Sequence, residues 1–266
     1  KSGQGFGVIS VATMIPYALV PPVTELILPY VRNESSIYAG FSLFALLAIV
    51  LMVRMRGRIE NALGDMDAAL TGRPALCDIR KNMANRPVVL LLVTTLLAFF
   101  GHATVFYFMK DLAVQKNLGD VGLFFTLAMG TMILVRAFGG PAFDLIDKTF
   151  TLIAGFLVLT FCFFMFPHIE GGLFFYGLAG LYGLGMGVIL PQINALIFSF
   201  SDPHLRGLNT NLGLFVMDLA YFITPAIGGA MVSGARGYAL PFDAAAVLAL
   251  VCLGLAAILW IVGRRR

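Results

Sequence analysis

Charged residues are scarce in this chain. Asp, Glu, Lys and Arg together make up 12% of it, about half the roughly 25% usual in water-soluble domains. Hydrophobic residues make up 59% and the mean hydropathy is +0.92, so a globule in water would lack polar surface to cover itself. Cysteine is sparse as well: Cys77 falls in a polar stretch, and Cys162 and Cys252 lie inside apolar runs. That placement excludes a disulfide framework. No pair of histidines or cysteines has metal-ligand spacing and no Ser, His and Asp share a face, so neither a metal site nor nucleophilic catalysis has candidate residues. The glycine series Gly177 to Gly187, GLAGLYGLGMG, follows no strand and sits in an apolar run, which predicts helix packing rather than a phosphate-cradling loop. Ten-residue stretches of alternating polarity are missing too, and a membrane barrel needs them. No cofactor is expected, and the chain is not expected to be an enzyme.

What is present is a series of long apolar runs. A hydrocarbon core about 30 Å thick takes roughly 20 apolar residues per helix, and breaking the chain at polar or Gly/Pro clusters predicts eight spans. They cover about 6 to 28, 37 to 54, 87 to 109, 120 to 139, 150 to 167, 172 to 199, 208 to 232 and 241 to 263. Backbone groups in lipid must be satisfied within the segment, so the expected class is all-α, a polytopic transmembrane helical bundle. The formal charge of +4 does not point to nucleic acid, because the basic residues lie at span ends without an aromatic stacking platform. Threaded alternately, the spans put Arg32, Lys110, Lys116 and Arg236 on one side and the other fourteen of the 18 basic residues opposite. The positive-inside bias then predicts both termini in the cytoplasm.

The stretch 55–86 is the only long polar one and predicts a cytoplasmic linker between residues 1–54, two helices, and residues 87–266, a six-helix bundle. A gapless offset of 204 places Gly3 on Gly207, Tyr17 on Tyr221, Pro21 on Pro225 and Arg32 on Arg236. Such a repeat makes spans one and two the counterparts of spans seven and eight. A complete protein would then have two six-helix halves. Lys1 in place of Met agrees with that expectation, in which the chain is N-terminally truncated by four spans.

Three segments carry a family resemblance. RAFGGPAFDLIDK, Arg136 to Lys148, resembles the loop signature R-x-x-x-G-x-x-x-D-x-x-G-R of the major facilitator superfamily at Arg136, Gly140 and Asp144, with Asp147 and Lys148 departing from it. SDPHLRG, Ser201 to Gly207, is similar to the acidic-proline-basic-glycine loop before that family's eleventh helix. MDLAYFITPAIGGAMVSGARGY, Met217 to Tyr238, resembles the eleventh helix through Asp218, Pro225, Gly228 and Gly229. The resemblance, to the bacterial drug and sugar efflux type, covers the whole chain as helices five to twelve of twelve. It implies a secondary active transporter of a small organic solute, working by alternating access in the bacterial cytoplasmic membrane, with protons and the lipid bilayer as its further partners. The fifth-helix signature G-x-x-x-G-P-x-x-G-G is only partly kept in YALVPPVTEL: Pro21 remains, while Val20, Thr24 and Glu25 replace glycines. That departure sustains the alternative of a non-transporting membrane sensor or assembly subunit. Nothing in the sequence predicts an oligomeric state.

Ionisable groups within lipid are costly, about 2.5–3.5 kcal/mol at a helix centre on insertion scales, so each is a candidate. Asp218, Glu25 and His102 are the proton-coupling candidates; each can take up and release a proton. Gln192, Asn194, Asn211, Tyr107 and Tyr221 are the substrate-path candidates, since Pro191 loosens the helix before the first two. Arg136, Gly140 and Asp144 are the candidate cytoplasmic gate. The aromatic run FCFFMF, Phe161 to Phe166, is expected to face lipid, and His168 and His204 are expected to occupy turns without a mechanistic role.

Overall fold

The computed structural model describes residues 16, 20, 23–24, 27–31, 33–64, 80 and 82–264, without the side chains of 28, 34, 62–64, 140–145 and 262–264. The described residues form seven long helices: α1 (Glu34–Gly64), α2 (Arg86–Lys116), α3 (Val121–Leu145), α4 (Lys148–Met165), α5 (Gly172–Phe200), α6 (Arg206–Val232) and α7 (Ala239–Arg264). Each contains a stretch long and apolar enough to cross a membrane. The span expected at 6–28 lies outside the described residues apart from a few isolated positions. Among the described residues no strand occurs, as expected where every peptide group must be paired within its own segment.

Helix ends follow local chemistry. Asn85, in extended conformation, and Pro87 start α2, and its C-terminal cap Asn117 turns left-handed at φ 52°, donating its N–H to the Ala113 and Val114 carbonyls. At α4 the Asp147 carboxylate accepts hydrogen bonds from the Thr149 and Phe150 N–H groups, each at 2.9 Å. Within the helices, buried hydroxyls are satisfied one turn back: Thr94 donates to Leu90, Thr95 to Leu91, Thr104 to Phe100 and Thr224 to Ala220. These threonines therefore need no partner on another helix.

Helix α1 continues to Gly64, well into the polar stretch, and buries only Ile37 among its described side chains. The other six helices pack together. α2 and α5 lie in the middle, α4 and α7 pack on each other and on α5 and α2 respectively, and α6 and α3 flank α2 and α5. Exchanging α2, α3 and α4 with α5, α6 and α7 reproduces this pattern, since α2–α6 matches α5–α3 and α2–α7 matches α5–α4. The two central helices are antiparallel. Asn85, before α2, donates to the Phe200 carbonyl at the end of α5 (2.9 Å), and at the far end the Asp120 N–H, after α2, donates to the Tyr176 hydroxyl at the start of α5 (2.9 Å). The six helices are thus two three-helix units in inverted orientation.

Glycine makes the central contacts close. A Cβ at Gly183 of α5 would collide with the Ala128 carbonyl oxygen of α3, and one at Gly187 would come within 2.9 Å of Val135 Cβ and 3.3 Å of Met132 Cα. Small residues permit such approach of backbones in lipid. The aromatic run after α4 begins is split, which corrects the expectation of a lipid-facing set: Phe163 and Phe166 are fully buried against Tyr182, while Phe161 and Phe164 are exposed. A 3.6-residue period sends consecutive aromatics to both faces of one helix.

One end of the bundle carries a polar cluster around Asn209, an amide whose partners the sequence does not reveal. Asn82 and Asn209 pair through both amides, at 2.5 and 3.1 Å, and Asn209 also donates to the Ser201 hydroxyl at 2.7 Å. All three are buried. This ties the segment before α2 to the α5–α6 turn. Asn209→Ala leaves the Asn82 amide buried and unpaired, so it is expected to destabilise the protein by about 1–3 kcal/mol. Replacing both with Leu is expected to recover most of that loss; thermal unfolding in detergent measures it, and a double variant no better than the single would contradict the pairing.

Candidate functional site at the centre of the bundle

His102 stands near the midpoint of α2, roughly 23 Å from either end at 1.5 Å per residue. Its Nδ1 hydrogen-bonds the hydroxyl of Tyr182 from α5, and the two rings stack with centroids 5.9 Å apart and planes 15° from parallel. Phe99 meets the imidazole edge-on at 5.7 Å and Tyr221 of α6 does so at 5.9 Å. The Tyr182 hydroxyl both donates and accepts. It donates to an unprotonated Nδ1 and accepts from a protonated one, so the buried bond is compatible with either tautomer of the ring.

Arg136 of α3 belongs to the same neighbourhood. It is 5% exposed and stands one turn beyond Met132, which packs against Gly187 of α5. Because α3 runs to Leu145, Arg136 stands more than two turns inside the helix. Gly140 and Asp144 lie on the same helix, but their side chains lie outside the described ones. Four helices, α2, α3, α5 and α6, thus bring His102, Arg136, Tyr182 and Tyr221 to one region.

From there an aromatic path leads outward. Tyr221 meets Phe106 at 6.0 Å and Tyr107 at 6.4 Å, both edge-on, and Phe106 and Tyr107 are exposed. Asp218, just under one turn before Tyr221, is exposed on a stripe of α6 with Asn211, Phe215 and Phe222 that the other five bundle helices leave uncovered. A mid-helix carboxylate facing hydrocarbon is disfavoured, so this stripe is a face for protein or for a water-filled cavity. Gln192 is buried at 2% exposure beside Pro191, and Asn194 is half-buried. Glu25 lies outside the described residues.

Tyr182 is the member of this site that sequence reasoning missed. Its signal was a lone hydroxyl in the glycine series, a segment whose glycines do serve packing.

Comparison with known proteins agrees with this architecture. The family model described as Major Facilitator Superfamily matches residues 1–225 and again residues 91–266. The chain belongs to the major facilitator superfamily. Among curated relatives, the quinolone resistance protein NorA of Staphylococcus aureus (strain Mu50 / ATCC 700699) is 24% identical over 173 residues, covering 63% of this chain and 43% of NorA. NorA of strain MRSA252 is 23% identical over 181 residues, 66% of this chain and 45% of its own length. The chain spans less than half the length of the curated relatives it matches. As a facilitator-superfamily protein with seven helices of membrane-crossing length, it is an integral membrane protein.

Proposed function

We propose that this chain forms the C-terminal carrier bundle, and the helices leading into it, of a secondary active transporter that exports an amphipathic aromatic solute in exchange for protons. The observation that carries the proposal is the uncovered stripe of α6, where an exposed carboxylate, Asp218, stands just before Tyr221 and the aromatic path to His102. An apolar, aromatic surface with one negative charge suits a planar organic molecule that bears an amine, through stacking and cation–π contact. NorA, to which the chain is similar, is named for quinolone resistance.

Asp218 and His102 are the protonatable groups, with Glu25 a further carboxylate on the first span. Tyr107, Tyr221, Gln192, Asn194 and Asn211 line the solute's route. Alternating access follows from rocking the six-helix bundle against the helices facing α3 and α6, and α3 carries Arg136, Gly140 and Asp144 from the polar centre toward the cytoplasmic gate. The basic-residue bias supports a cytoplasmic position for the Asn82 end of the bundle. Residues 55–86 then link the two bundles on that side.

Cells expressing the whole transporter that contains this chain are expected to accumulate several-fold less of a fluorescent planar aromatic amine than cells without it, with a protonophore abolishing the difference. Equal accumulation in the two strains, or export that continues after the proton gradient collapses, would overturn the reading.

A further inference from the structure

A groove of about 660 Å³ runs between α4 and α7, on the opposite side of the central helices from α3 and α6. Its walls are Leu157, Phe161 and Phe164 of α4 and Val247, Leu250 and Leu253 of α7. Most of these residues are exposed along the groove, Leu157 at 60% and Val247 at 59%. From Asp243 to Leu253 the groove descends about 15 Å at 1.5 Å per residue, half of a hydrocarbon core about 30 Å thick. Its depth therefore matches one leaflet.

The mouth of the groove differs from its walls. Arg236, Asp243 and His168 gather there. Arg236 Nη1 is 3.1 Å from an Asp243 carboxylate oxygen while its side chain stays 64% exposed, which leaves guanidinium donors facing outward. His168 Nδ1 lies 2.8 Å from the Phe164 carbonyl. A carbonyl only accepts, so Nδ1 carries the proton, and Nε2 of this exposed side chain is an acceptor whenever the ring is neutral. The mouth thus offers donors beside acceptors, with one positive and one negative charge, over a greasy channel one leaflet deep.

A diacyl phospholipid with a zwitterionic head fits this pattern, and the acceptors discriminate among heads. A primary ammonium donates hydrogen bonds to His168 Nε2 and to the Asp243 oxygen that does not meet Arg236, whereas a trimethylammonium cannot. An anionic head would satisfy Arg236 but face the Asp243 carboxylate. We propose that the α4–α7 groove is a binding site for phosphatidylethanolamine, with an acyl chain between the two helices, the phosphate on Arg236 and the ammonium on Asp243 and His168. The site is independent of the transport path, since it involves neither Asp218 nor the His102 region.

Native mass spectrometry of the detergent-purified protein, supplied with phosphatidylethanolamine or with phosphatidylcholine or phosphatidylglycerol of the same acyl chains, tests the assignment. One phosphatidylethanolamine is expected to be retained in preference to either competitor, by roughly fivefold, the equivalent of about one hydrogen-bonded contact. Leu250→Trp, which fills the groove from an exposed position, and Arg236→Gln, at the mouth, are each expected to reduce retention to the level of phosphatidylcholine, with helical content by circular dichroism unchanged. Equal retention of the three lipids overturns the proposal whatever the variants do. So does undiminished retention in a folded Leu250→Trp variant, or a groove-dependent dimer of the chain in place of bound lipid.

Discussion

Asp218→Asn is expected to lower proton-driven export by at least about tenfold, equivalent to some 1.4 kcal/mol of lost driving or barrier free energy, while leaving exchange of solute across the membrane without a gradient within about twofold. The carboxylate is exposed on α6, so the amide replaces it without disturbing a packed contact. Asn keeps the size and one acceptor oxygen of Asp but cannot bind or release a proton. The separation between gradient-driven and exchange transport is what distinguishes coupling from simple solute binding. A solute-binding role predicts that both rates fall together; a purely structural role predicts lower expression with both rates per molecule intact. Asp218→Glu, which keeps the titratable group, is expected to retain part of the driven rate. Driven export at the original rate in Asp218→Asn would remove this residue from the coupling scheme.

Gly183→Ala is expected to produce the largest loss of stability from a single methyl group. The new Cβ would fall inside the contact distance of the Ala128 carbonyl oxygen, a backbone atom that cannot rotate away. Helix α3 would have to move off α5, opening the contacts at Gly187 and shifting Tyr182 relative to His102. Overpacking of this kind typically costs about 1–3 kcal/mol, occasionally more. Two neighbours on the same helix supply the comparison. Gly177 has nothing near its Cβ position and Gly180 has only Thr131 Oγ1 at 3.8 Å, so alanine at either site is expected to be neutral or slightly stabilising through helix propensity. Thermal unfolding in detergent of the three variants measures the difference. A Gly183→Ala protein as stable as Gly177→Ala would show that α3 and α5 are not held at backbone contact.

The elements themselves are largely legible in the sequence. Apolar runs of membrane-crossing length map onto α1 to α7, because a peptide group in hydrocarbon has no partner outside its own helix. Ends were less exact. Arg136 reads as lying near a span end because Gly139, Gly140 and Pro141 look like a break, yet α3 carries on to Leu145 and leaves Arg136 inside the bundle. Proline in the first or last turns of hydrophobic helices is tolerated where neighbouring groups re-satisfy the backbone. Asn209 was visible as an amide near a helix start, but its partner lies 127 residues away in sequence, and nothing local marks such a pair.

The three-helix inverted repeat was hidden for a similar reason. The offset of 204 compares spans one and seven, and the first of these lies outside the described residues, whereas the repeat seen in α2 to α7 relates helices of opposite direction without obvious identities. Packing symmetry requires matching shapes and contact faces, not matching letters.

By itself, then, the sequence determined that this protein is helical, crosses a membrane repeatedly, and resembles the facilitator superfamily; run length, scarcity of charge and the loop motifs suffice for that. Only the tertiary structure decided which polar groups share a site and which merely satisfy their own helix. Helices that are apolar all round carry little record of which face meets which neighbour, so the meeting of His102, Arg136, Tyr182 and Tyr221, like the division of Phe161 to Phe166 between core and surface, is settled by close packing at glycine contacts.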